Sequence, residues 1–235
     1  MLNFKGNFTY FLILALHLFV PTIVAAEITS QEIISGIELG VQEEYEKAVK
    51  HFSKLQQNHP TNPAPHFFTA TLWQTRMMDF ETHQWRDLFL SEIDTTIKLS
   101  QANLEQNPNS LSDRFYLGSA YSYKSFQLSR ENKYISALKL AIKGMKQINS
   151  VIEQDSSFYD AYIGVGSYLY WRSYMTRNFS WLPFFADQRL KGIALIKTSF
   201  DKGEISKWAA LSNLAWIYIQ EEKFEHAIHC AEIGL

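Results

Sequence analysis

The chain has 235 residues, 46% of them hydrophobic and 15% aromatic, and a formal net charge of −2. That balance, with no long basic stretch, does not suggest a nucleic-acid backbone as ligand, which needs clustered lysine and arginine. One cysteine, Cys230, excludes an internal disulfide, so the fold must be held by burial of apolar side chains.

Residues 1–26 read as a targeting segment. Lys5 is the only charge before Glu27, and 11–20 is an apolar run interrupted only by His17. Pro21 ends the run, and Val24-Ala25-Ala26 places Val at −3 and Ala at −1 of a cleavage point. This layout predicts a signal peptide over 1–26 and export to the periplasm or cell envelope, or secretion. No cysteine stands there to carry a lipid, so a lipoprotein start is not expected. An uncleaved anchor is the alternative, because 8–26 approaches the roughly 20 residues of a membrane span.

From residue 27 onward the chain reads as helices, and a small residue recurs among large ones. It appears in "ISGIELGV" at Gly36, "FTATLWQ" at Ala70, "YLGSAYSY" at Gly118, "GVGSYLYW" at Gly166 and "NLAWIYIQ" at Ala215. Three residues after each comes a large apolar one: Leu39, Trp73, Tyr121, Leu169 and Tyr218. A small side chain lets a neighbouring helix approach, and the bulky one a turn later fills the space beside it. Recurrence at this period argues for stacked helical hairpins rather than one bundle.

A second pattern falls on the following helices. "EEYEKAVKHFSKLQQNHP" carries Tyr45, Ala48, Phe52 and Pro60, "NKYISALKLAIKG" carries Tyr134, Ala137 and Ala141, and "EEKFEHAIHCAEIGL" carries Phe224, Ala227 and Ala231. On these residues the chain resembles the tetratricopeptide repeat family. The resemblance implies an all-α fold, an α-solenoid of stacked antiparallel helical hairpins over 27–235. About five repeats are expected, near 29–62, 63–110, 111–158, 159–207 and 208–235, the last incomplete.

The middle repeats exceed the family length by about 14 residues. Seven extra residues are close to two turns, so a helix lengthened by seven keeps its buried face in phase. The third repeat fits lengthening of both helices. In the fourth the excess lies in "NFSWLPFFADQRLKG", where Pro183 cannot continue a helix interior. This predicts an inserted connection, followed by a helix with Asp187 as N-cap. Trp181, Phe184 and Phe185 of the connection either fill the gap where long helices overhang or form a lip for a partner or membrane.

In the family the first helices line a concave groove. Carried over by position, the resemblance implies a partner-binding groove built on Phe67, Phe115, Tyr123, Tyr170, Trp171 and Trp216. Thr71, Gln74, Ser119, Ser122, Ile163, Ser167, Ser212, Ile219 and Gln220 fall between them. Aromatics interleaved with hydroxyls suit an extended peptide or an amphipathic helix, although such aromatics also serve as packing between hairpins.

No catalytic residue, cofactor or metal is expected. Gly-x-Ser-x-Gly, a phosphate-binding glycine loop and His-Glu-x-x-His do not occur. His226, His229 and Cys230 share a helix but lack a fourth ligand. Asp155, Asp160 and Asp187 are the carboxylates a glycan-processing enzyme would use, and Asp160 and Asp187 read better as helix-start residues. The expected function is a non-enzymatic scaffold of the cell envelope that binds a protein or peptide, with no nucleic acid and with membrane contact as a lesser option. One alternative is a self-assembling subunit using the apolar stripe Ile228, Ala231 and Leu235 of its C-terminal helix. The glycan enzyme is the other.

Overall fold

A computed structural model describes residues 28–179 and 186–234. The expected signal peptide, Trp181, Phe184, Phe185 and Leu235 therefore lie outside the described residues. Within them are ten α-helices: α1 (Ser30–Val41), α2 (Tyr45–Asn58), α3 (Ala64–Asp79), α4 (Arg86–Gln106) and α5 (Leu111–Arg130). They continue as α6 (Tyr134–Gln154), α7 (Tyr162–Met175), α8 (Arg189–Lys202), α9 (Lys207–Gln220) and α10 (Phe224–Gly234). Each helix packs against the next, and first helices of successive hairpins also touch: α1 with α3, α3 with α5, and α7 with α9. The described residues form the α-solenoid of stacked antiparallel hairpins that the sequence predicts.

Local signals place the helix starts. Thr29 caps α1 in a reciprocal box with Glu32, and the Ser110 hydroxyl accepts the Asp113 N–H at the start of α5. Pro63 and Pro65 flank the start of α3, where a missing N–H costs nothing.

The small-residue notches are where the helices close. Gly36 faces the Phe52 ring, Gly118 faces Ile148, and Ala70 is fully buried. A methyl at Gly166 would stand 2.6 Å from the Gly192 carbonyl oxygen, and one at Gly192 would stand 2.6 Å from the Gly166 carbonyl oxygen. Helices α7 and α8 thus cross backbone to backbone through two glycines. Ala215 is half-buried.

Extra length falls where expected in the third hairpin, with 20 residues in α5 and 21 in α6. Helix α7 has only 14 residues. Short 3-10 turns, Tyr159–Ala161 and Arg177–Phe179, flank it. Tyr45 is buried, but its counterparts Tyr134 and Phe224 are 62% and 58% exposed. The expected N-cap Asp187 is corrected: it accepts the Arg189 N–H at 2.9 Å but precedes the N-cap residue, Gln188.

Four of the five hairpins turn the same way. Glu43, Glu81, Asn132 and Glu222 have φ of 60°, 47°, 60° and 57°, the left-handed region. In each turn the following N–H reaches back five residues, as Lys133 to the Leu128 carbonyl and Lys223 to the Tyr218 carbonyl. This is the helix-ending motif in which a left-handed residue lets two orphan carbonyls be satisfied.

Clamps join the start of a second helix to the end of the next first helix. Tyr45 donates to Asp79, and Arg86 grips Glu131 through Nε at 2.6 Å and Nη2 at 3.1 Å. Arg189 Nη1 and the Tyr170 hydroxyl both donate to Glu221 Oε1 at 2.9 Å. Between α6 and α7 no such clamp occurs among the described residues, and the buried core divides there into two clusters.

The Arg86 clamp has a pH signature. Arg86, with Lys133 and Gln127, holds the Glu131 carboxyl far below its ordinary value of 4.5. A depressed folded pKa gives stability that is complete above the unfolded value and is lost as pH falls toward the folded one. The urea midpoint is expected to fall as pH drops below 4.5, and Glu131→Gln is expected to flatten that fall. Parallel slopes for the two proteins would show that the clamp contributes nothing.

Candidate functional site

The first helices α3, α5, α7 and α9 form one row, and the residues expected to line a groove separate along it by burial. Phe67 is buried edge-on against Phe68 and Tyr123, with ring centroids at 5.2 Å in both pairs. Phe115 is buried between Tyr116 and Phe158. Tyr170 is fully buried, its ring perpendicular to Trp171 at 5.0 Å. These three are core residues rather than open groove lining, because neighbouring first helices approach closely enough to enclose an aromatic there. Burial pushes the Tyr170 phenol above its ordinary 10.0, aided by Glu221, so it serves as a neutral donor to that carboxylate.

What remains accessible is a shorter strip toward the C-terminal half. Tyr123 and Trp171 are half-buried, and Trp216 is 55% exposed beside Ile219 at 45%. Side-chain bonds stitch α7 to α9: Gln220 Nε2 donates to the Tyr174 hydroxyl at 2.6 Å, and Asn213 Nδ2 donates to Ser167 Oγ at 2.8 Å. Two amide atoms of the first-helix row, Gln74 Nε2 and Asn213 Oδ1, are buried without a hydrogen-bond partner. Sequence reasoning missed Phe126, 46% exposed and one turn beyond Tyr123. Its signal was present in the helical spacing, but α5 runs longer than the family helix.

The three carboxylates are taken up by local structure. Asp160 Oδ1 accepts from the Ile205 and Ser206 N–H groups and from Ser206 Oγ, at 3.0, 2.9 and 2.6 Å. It therefore holds the start of α9 rather than capping its own helix. Asp155 and Asp160 line one cleft of about 400 Å³ with Tyr116, Tyr159 and Lys202. Hydrogen bonds from Ser157 hold Asp155 below its ordinary 3.8, the opposite of what a general acid for glycoside cleavage needs. Asp187 is paired with Arg189. Cys230 is buried while His226 and His229 are exposed, and the described residues contain no cluster of three or more metal-ligating side chains.

No family model matches the chain, and no curated protein matches it. Among solved structures, the chain is similar to a thermophilic TPR protein of Thermus thermophilus. The alignment covers 88% of this chain and 90% of that one at 13% identity, with a TM-score of 0.49. At that level the functional reading rests on this chain's own residues.

Proposed function

We propose that the chain is an exported, non-enzymatic scaffold that binds a protein segment along the exposed strip of α5, α7 and α9. The observation that carries this reading is Trp216, more than half exposed on a first helix, with Ile219 open one turn on. An exposed tryptophan beside an isoleucine supplies contact area at low entropic cost. The targeting layout of 1–26 supports export and a partner in the cell envelope.

The test uses chain recovered from the cell envelope, with N-terminal sequencing expected to begin at Glu27. Peptides selected by that chain from an envelope-protein library are expected to lose about 2 kcal/mol, close to thirtyfold in Kd, on Trp216→Ala. Trp171→Ala is expected to cost less, since its ring is partly enclosed. Thermal midpoints of the Trp216 variant should match the parent. Peptides whose Kd ignores Trp216→Ala would remove the groove from the reading.

A second reading rests on α10, where Phe224 and Ile228 are each 58% exposed at i and i+4. It is self-assembly through that helix. Light scattering that gives a monomer at every concentration eliminates it.

A further inference from the structure

Helix α6 carries a surface that the groove does not use. Its inner face is closed by Ala137, Gly144, Met145, Ile148 and Val151. On the outside, Ile135, Leu138 and Ile142 are 76%, 59% and 56% exposed, at i, i+3 and i+7. That spacing makes one continuous apolar stripe. Beside it run Lys139, Lys143 and Lys146, at i, i+4 and i+7, all exposed and without an ion-pair partner among the described residues. From Asn132 to Ile152 the sequence contains no acidic residue, in a chain whose formal net charge is −2. Positive charge is therefore concentrated where apolar surface is open. The stripe lies beside the face that Ala137, Gly144, Ile148 and Val151 turn into the fold, so the packing of α6 leaves it open.

We propose that the outer face of α6 docks on an anionic phospholipid surface. The isoleucines and leucine sit at the headgroup boundary, and the three lysines pair with phosphate-bearing headgroups. An apolar stripe flanked by lysines is the surface that lies in a membrane interface, and a negatively charged leaflet is its electrostatic complement. Only one face of α6 carries the stripe, the other being packed into the fold, so the contact proposed for this helix is a surface one. The face is separate from the first-helix strip, which leaves the scaffold free to hold a partner while docked.

The experiment follows full-length chain on vesicles of phosphatidylcholine, with and without phosphatidylglycerol. A polarity-sensitive dye is placed on Ser136→Cys, an exposed α6 position, in a Cys230→Ala background. Lys5 and the N-terminal amine of 1–26 also favour anionic lipid, so the α6 lysine variants below, which leave that segment intact, isolate the contribution of α6. The dye is expected to shift to the blue only on phosphatidylglycerol vesicles, and the shift should fade as salt rises. Lys139→Gln with Lys143→Gln and Lys146→Gln is expected to weaken vesicle binding by about 100-fold, at a factor of about five per lysine. Ile135→Ser with Ile142→Ser should abolish the dye shift, with unchanged far-UV circular dichroism. Equal response to both vesicle types overturns the proposal. So does a dye that is already shielded in buffer, which would mean that the chain's own α7–α8 connection or a second copy covers the stripe. A dye that stays in water on anionic vesicles overturns it as well.

Discussion

The same substitution made twice on one helix should have opposite signs: Gly164→Ala stabilises, Gly166→Ala destabilises. In a free helix either change is worth about 1 kcal/mol in favour of folding, through lower backbone entropy in the unfolded chain. At Gly164 the new methyl meets Ile148 at 3.5 Å, ordinary contact, so the full gain is expected. At Gly166 it meets the Gly192 carbonyl oxygen at 2.6 Å and the Ile196 nitrogen at 3.0 Å. These are backbone atoms of α8, and only a shift of the whole helix relieves them. Overpacking of this kind costs about 3 kcal/mol, which leaves a net loss of about 2 after the propensity gain. Urea titrations of the two variants against the parent check both signs. Two stabilised proteins would mean that α7 and α8 do not cross through Gly166 and Gly192.

A larger loss is expected at the first notch. Phe52 is fully buried, stacked on Phe68 with centroids 5.7 Å apart and planes at 15°, with its ring edge over Gly36. Phe52→Ala removes the ring and leaves a cavity that Gly36 has no side chain to fill. The expected cost is about 4 kcal/mol, a large share of the stability of any single domain. The same geometry predicts non-additivity. Gly36→Ala clashes with the Phe52 ring and with the His51 ring at 2.8 Å in the parent, and only the His51 contact remains in the Phe52→Ala background, so the double variant should be less damaged than the sum. Additive losses would show that the ring and the notch are not in contact.

The architecture was legible because it depends on residues that sequence displays openly. Gly36, Gly118 and Gly166 stand where helices must approach, and each faces a side chain or backbone of its partner helix. The two-turn lengthening of the third hairpin could be read from phase alone. The site was less legible. Phe67, Phe115 and Tyr170 occupy the positions of a groove, but spacing does not report how closely successive first helices lean together. Helix α6 shows the same limit from the other side. Tyr134 stands in its pattern where Tyr45 stands in the first, yet Tyr134 is 62% exposed and Tyr45 5%, a difference that the shared spacing does not carry. Asp160 reads in sequence as a local helix-start residue, whereas its three donors come from residues 45 and 46 positions later. Contacts of that range leave no periodic trace.

The left-handed turns hold a reserve. Three of the four positions carry glutamate, which prefers the right-handed region by about 1 kcal/mol or more, where a glycine would be at ease. The chain therefore keeps several kcal/mol of backbone tension at its hairpin tips, away from the helix-packing notches. An engineer seeking a sturdier version of this scaffold can relax those tips one at a time, leaving the inner strip and the lysine-flanked exterior chemically untouched.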